Sequence, residues 1–402
     1  MQLEYDSPNL VQRFLLVLFY YQTTRHQPWK ECNQPAGIPQ GSAMSGFCYA
    51  INQFSGEITT NIWGDRWLSA SHECQWAGIT CGTSKSEEKR IVRLILSKNQ
   101  LNGPLPWEIL YLAQLKRLEL GGNMLTGMLS PGLLLGEYAL ALELLSLTGN
   151  RLSGTIPGEW FVNLHKGSGK LEQLRISRNR LTGTIPSEVG LLSLKWLQLG
   201  GNALTGSLPM DLFYQKSFEL LYFEDNQITG TMPTEVGLLA NLRELYFCGN
   251  SISGSLPSDI GLASQLSQIM LFNTNMQGTL PEELYTGLTD LIALSLNDCN
   301  FSGTISSSLG LLTNLAWLNL ANNHFLGTIP NEIETLTGLS QLLVNGNKLS
   351  GTVPLSVCQN FASEILLVAD CLPNTETEIP VIQCAFGCCT SCCDETGVCL
   401  AN

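Results

Sequence analysis

Residues 181–209 read LTGTIPSEVGLLSLKWLQLGGNALTGSLP, one phrase stated nearly twice. LTGTIP at Leu181 returns as LTGSLP at Leu204, and between them Leu194 to Asn202 spell L-x-x-L-x-L-x-x-N. Working outward, the closing position of that motif falls at Asn99, Asn123, Asn150, Asn179, Asn202, Asn226, Asn250, Thr274, Cys299, Asn323 and Asn347. Successive spacings are 24, 27, 29, 23, 24, 24, 24, 25, 24 and 24. In one unit, Leu242 to Gln265, the residues Leu242, Leu245, Phe247, Ile252, Leu256, Ile260 and Leu262 are expected to point one way. Burying so few side chains does not offset the entropy of ordering the whole unit. Stacked units cover each other's open faces and add parallel-strand hydrogen bonds, so the array folds collectively.

The asparagine that ends each strand both donates and accepts, which suits it to satisfy backbone groups of adjacent coils. Thr274 and Cys299 keep a donor but lose capacity, so this ladder is expected to be weakest there. The glycine of x-x-G-x-I/L-P permits a tight turn and the proline sets the next bend. The spacing of 29 before Asn179 predicts about five extra residues, supplied by Phe161 to Lys170 and read as a mobile bulge.

Such periodicity is that of the leucine-rich repeat. The pattern LxGxIPxxLGxLxxL resembles the plant-type repeat of receptor-kinase ectodomains and polygalacturonase-inhibiting proteins. CQWAGITC, Cys74 to Cys81, is similar to that class's N-terminal cap, and RFLLVLFYYQTT before it resembles the cap's first helix. The tail VADCLP…CAFGCCTSCC resembles leucine-rich-repeat ectodomains of diatoms and related algae. The resemblance implies an α/β solenoid: a right-handed superhelix of about eleven repeats, with a parallel β-sheet on its concave face and disulfide caps. The expected organisation is an N-terminal cap over 1–90, repeats over 91–357, and the last coil with a Cys-rich cap over 358–402.

Fourteen cysteines point to an oxidising compartment. Cys32, Cys48, Cys74 and Cys81 precede the repeats; Cys358, Cys371, Cys384, Cys388, Cys389, Cys392, Cys393 and Cys399 follow them. Both sets are even, so all twelve are expected in disulfides; Cys74–Cys81 and Cys32–Cys48 are the preferred N-terminal pairs, whereas eight cysteines leave 105 pairings open. Cys389 to Cys392 spells C-x-x-C, a zinc or redox spacing, but a stapled end cap is the expectation in a disulfide-rich tail. Cys299 reads as a thiol inside the ladder and Cys248 as an exposed free thiol.

The formal net charge is −13, with 34 acidic against 21 basic residues, which argues against a nucleic-acid partner or bulk attraction to anionic membranes. Phe14 to Tyr21 is too short to span a bilayer and is expected to be an amphipathic helix. A targeting segment or membrane tether would lie outside this sequence. His26, His72, His165 and His324 stand in no nucleophile, phosphate or metal motif, so neither catalysis, a cofactor nor a metal site is expected. Glu224 to Asn226 could offer oxygens to calcium, but a solvated acidic edge is the plainer reading.

Function is then sought on the outward strand positions. The middle x of L-x-L includes Arg175, Gln198, Tyr222, Tyr246 and Met270; Glu224, Cys248 and Phe272 follow two residues later, and Trp196 and Trp317 two residues earlier in their own repeats. The N-terminal third is basic, through Arg93, Lys98, Lys116, Arg117, Arg175, Arg178 and Lys195; Glu219, Glu224, Asp225 and Glu244 make the middle acidic. Trp196, Tyr222, Glu224, Tyr246, Met270, Phe272 and Trp317 are the candidate partner-binding residues, because exposed aromatics flanked by charge form interface anchors. The alternative is that these rings pack on one another across strands. The expected function is extracellular or cell-surface recognition of a protein, peptide or glycan, receptor-like or inhibitor-like. Its rival is a structural or surface-binding protein, for cell wall or ice, using a regular hydroxyl face. Thr155, Thr184, Thr304 and Thr328 supply such hydroxyls, and Gly103, Met128 and Ser207 interrupt their register. Asn300-Phe301-Ser302 is the only N-glycosylation sequon.

Overall fold

The computed structural model describes residues 8–24, 47–51, 58–65, 73–83, 89–131, 139–354, 357, 366–371, 382–384, 389–393 and 399–401. They divide into two compact units, Met1–Asn202 and Ala203–Asn402. Both are leucine-rich-repeat solenoids whose coils alternate a short strand with a turn or short helix.

The first unit begins with the helix Pro8–Thr24. It buries Leu15, Leu16 and Phe19 and exposes Val11, Phe14 and Tyr21, the amphipathic division expected of it. Gln12 ties this helix to the solenoid: its amide donates to Glu73 Oε1 at 2.9 Å and accepts from Ile91 N at 2.9 Å. The strand Ile79–Cys81 runs antiparallel to Ile91–Ile95, and Cys74–Cys81 closes the turn ahead of it. Parallel strands Arg117–Glu119, Leu144–Ser146, Gln173–Arg175 and Trp196–Gln198 follow. Their central leucines, Leu94, Leu118, Leu145, Leu174 and Leu197, lie in register and fully buried.

The extra residues before Asn179 are not a mobile bulge. Gly158–Lys166 forms a helix that buries Trp160, Phe161 and Leu164, and Trp160 Nε1 donates to Ser130 O at 2.8 Å. Three apolar residues on one helical face give the insertion its own anchor. That stripe, and not the glycine, serine and lysine that follow it, decides the conformation of the segment.

In the second unit, the parallel strands Leu220–Tyr222, Glu244–Tyr246, Gln268–Met270, Ala293–Ser295, Trp317–Asn319 and Gln341–Leu343 are joined by Leu366–Ala369 and Ser391–Cys393. Within Leu242–Gln265 the expected core holds except at Leu262, which is 65% exposed while Ala263 turns inward.

The asparagine ladder runs inside both units. Asn250 Oδ1 accepts from Ile228 N at 3.0 Å, and its Nδ2 donates to Phe223 O at 2.8 Å and Phe247 O at 3.0 Å. Thr274 donates its hydroxyl to Leu271 O at 2.8 Å, and the buried Cys299 thiol lies 3.2 Å from that hydroxyl and 3.4 Å from Leu271 O. The two substitutes thus share Leu271 O, with Asn297 O a second acceptor for the thiol at 3.4 Å. The residue before each ladder position is left-handed: glycine at Gly122, Gly149, Gly201, Gly249 and Gly346, but Lys98 (φ 57), Arg178 (φ 53), Asp225 (φ 52), Asn273 (φ 53), Asp298 (φ 55) and Asn322 (φ 54) elsewhere. In the second unit the non-glycine residues at this turn all carry short side chains of the kind that bond locally, which lowers the strain of the left-handed backbone.

Asp370 ends the ladder by accepting from Gly346 N at 2.8 Å and Asn347 N at 3.1 Å. Burial holds its carboxyl above the usual range, against the two amides that lower it. Disulfides Cys371–Cys392, Cys384–Cys389 and Cys393–Cys399 staple the tail. Cys389 and Cys392 belong to different bridges, so the C-x-x-C is no dithiol pair. Cys32, Cys358 and Cys388, and with Cys32 the expected Cys32–Cys48 bridge, lie outside the described residues.

Candidate functional site

Outward strand positions face away from the leucine core, so what they carry is decided by sideways packing and solvent. In the first unit that packing covers Trp196: the Arg175 guanidinium stands 4.5 Å from the centre of its ring. Arg175 also donates to Gln173 Oε1 at 2.6 Å, and Arg117 pairs with Glu119 at 2.9 Å. Burial lowers the Arg175 pKa, with the Arg117 charge adding to it and Glu119 opposing.

The second unit carries most of the candidates. Tyr222 and Tyr246 lie side by side in register and stack, with ring centres 4.4 Å apart and planes 11° from parallel. The Tyr222 hydroxyl donates to the Glu244 carboxylate on the next strand, and Tyr246 donates to Gln268 Oε1 at 2.6 Å. Burial raises both phenol pKa values, and the hydrogen bond and charge of Glu244 raise Tyr222 further. Beyond the stack, Cys248, Met270 and Ala293 form a buried cluster with Tyr246 and Phe272 packed against it.

Two expectations fail here. Met270 is 6% exposed and Cys248 7%, so neither is open to a partner or reagent. Strands about 4.8 Å apart bring large outward side chains together, and Tyr246 and Phe272 pack over the two residues between them. Burial, then the charges of Glu224 and Asp225, push the Cys248 thiol up to about 12.

Solvent reaches the remaining candidates. Tyr222, Glu224, Tyr246 and Phe272 are half-buried. Trp317, in register with Ala293, is 37% exposed and stands at the far side of the buried cluster. Next to it Ser295 donates to Asn297 Oδ1 at 2.7 Å, and Asn297 and Asn322 donate to Asp298 at 2.6 and 2.7 Å. Calcium at Glu224–Asn226 lacks a ligand, because Asn226 Oδ1 accepts from Leu204 N at 3.0 Å inside the coil. The cross-strand phenol bonds escaped the sequence reading, although their signal, an acceptor 22 residues after each tyrosine, is present.

A Leucine Rich Repeat family model matches residues 141–163, 170–192, 241–262 and 314–336. Phytosulfokine receptor 1 of Arabidopsis thaliana is 28% identical over 183 residues, covering 39% of this chain and 17% of that protein. The Arabidopsis receptor kinase HAESA, solved with the peptide hormone IDA and the co-receptor SERK1, superposes with a TM-score of 0.64 at 30% identity, covering 78% of this chain and 52% of that one. A plant ice-binding protein shares the fold at 24% identity and a TM-score of 0.57, covering 72% and 82%. The chain thus spans less than two thirds of the length of these receptors. Among the described residues no helix is long and apolar enough to cross a membrane. With its asparagine ladder, its LxGxIP turns and its stacked coils, the chain has a leucine-rich-repeat fold similar to that of the plant receptor-kinase ectodomains.

Proposed function

We propose that the chain is an extracellular recognition module, without catalysis, that binds a protein or peptide on the strand face of its second unit. The observation that carries this reading is the stacked Tyr222–Tyr246 pair, hydrogen-bonded to Glu244 and Gln268 and half open to solvent, with Glu224 close in sequence and the exposed Trp317 beyond the buried cluster. Large aromatics held in place lose little entropy on binding and make effective anchors. The peptide-hormone complex of the HAESA relative agrees with such a partner. Amide hydrogen exchange tests the reading with a peptide selected on the protein from a displayed random library. Protection should concentrate in residues 220–319 and their strand ends; protection confined to the caps or the lateral turns would refute it. Asn300, exposed at the start of the strand Asn300–Thr304, is expected to carry a glycan when the protein is made through a secretory pathway. Mass spectrometry showing it unmodified after such expression would argue that Asn300 is buried.

One observation favours the rival reading. Ser207, Thr231, Ser255, Thr279, Thr304 and Thr328 stand exposed on six successive coils, so the hydroxyl series is regular in the second unit. Each is seated beside the glycine of the next coil, as the Thr279 methyl is at Gly303 and the Thr304 methyl at Gly327. Such a ladder suits a repetitive surface, ice or wall polysaccharide. Thermal hysteresis abolished by Thr279→Lys with Thr304→Lys would support it; no hysteresis in the unaltered protein would dismiss ice.

A further inference from the structure

We infer that the partner of this strand face presents lysine or arginine side chains, in an extended cationic segment; the inference rests on the strand-face reading above. Two observations lead to it. Along the outward positions from Leu220 to Gly346, and the left-handed turn closing each strand, stand the carboxylates Glu224, Asp225, Glu244 and Asp298, and no lysine, arginine or histidine. The nearest cation in sequence, Arg243, lies one residue ahead of these positions. The first unit's equivalent positions carry the reverse, with Arg93, Lys98, Arg117, Arg175 and Arg178 against Glu119.

The second observation is the direction of the hydrogen bonds. The donors of Tyr222, Tyr246, Ser295, Asn297 and Asn322 are all turned onto acceptors within the face. Apart from neutral amides such as Gln268 and Asn319, what a ligand meets is therefore carboxylate oxygen and aromatic ring. Carboxylates accept only, and the faces of tyrosine rings attract cations. A guanidinium answers both, and this chain already seats its own on indoles, Arg175 on Trp196 at 4.5 Å and Arg13 on Trp76 at 5.0 Å. An anionic ligand would confront four like charges with neutral amides but no cation at these positions to offset them.

Panning the folded protein against a displayed random dodecapeptide library tests this. Selected peptides should be enriched in lysine and arginine. Their affinity should fall at least tenfold in Glu224→Gln with Asp225→Asn, while Glu235→Gln with Asp259→Asn, an equal charge change on the short turns, shifts it less than twofold. These substitutions keep size and hydrogen-bonding shape, and a preserved Tm verifies the fold. Peptides lost with Trp317→Ala but not enriched in cations would overturn the inference and leave the strand-face reading standing. Peptides indifferent to both Trp317→Ala and the first pair would overturn both. Equal losses in the two charge pairs, or no enrichment at all, would also overturn the inference.

Discussion

Iodoacetamide at pH 8 should leave Cys248 and Cys299 of the native protein unmodified and modify both once denaturant is added. A thiol at about 12 is ~0.01% ionised at that pH, against roughly a quarter for an ordinary cysteine, so reactivity falls on the order of a thousandfold before access is considered. Access compounds it, since Cys248 is buried in the cluster against which Tyr246 and Phe272 pack, and Cys299 lies inside the ladder. Tyr246→Ala should uncover Cys248 selectively and leave Cys299 protected. Peptide mapping that finds native Cys248 alkylated within minutes would mean that the outward cluster does not form.

Asn250→Ala should destabilise the protein by about 3–5 kcal/mol. The substitution strands Ile228 N and Phe247 O in the interior and leaves Phe223 O to Asn226 alone. Each unpaired buried group costs about 1–3 kcal/mol, less than additively when neighbours relax together. Thr274→Ala, which leaves Leu271 O to the Cys299 thiol, should cost only about 1 kcal/mol. Urea unfolding followed by circular dichroism gives both values. Losses under 1 kcal/mol at Asn250 would show that water or turn rearrangement replaces the ladder.

These contrasts show what a sequence of this kind discloses. The coil is dictated by a backbone requirement repeated every 24 or so residues, so the buried leucines and the ladder, down to Cys299 as its interior thiol, were legible. The adjacent Cys74–Cys81 bridge was legible for the same local reason. Outward positions obey no period. Whether Met270 is open depends on Tyr246 and Phe272, and whether Trp196 is free depends on Arg175 a strand away. Lateral packing of this sort is invisible in a one-dimensional pattern, and so was the helix Gly158–Lys166, whose stripe spans barely two turns. Of the candidate site, the aromatic and acidic character is written in the sequence, but not which rings support and which remain available.

The account stands on that division, and Trp317 tests it most directly. Its ring is the most open of the candidates, so truncating it should alter stability by no more than about 0.5 kcal/mol. Calorimetric titration with a library-selected peptide should show Trp317→Ala weakening binding by about 2 kcal/mol or more, roughly thirtyfold, with an unchanged Tm. Unaltered affinity in Trp317→Ala, together with loss of binding in Thr304→Lys, would place recognition on the lateral hydroxyl ladder and contradict the strand-face assignment.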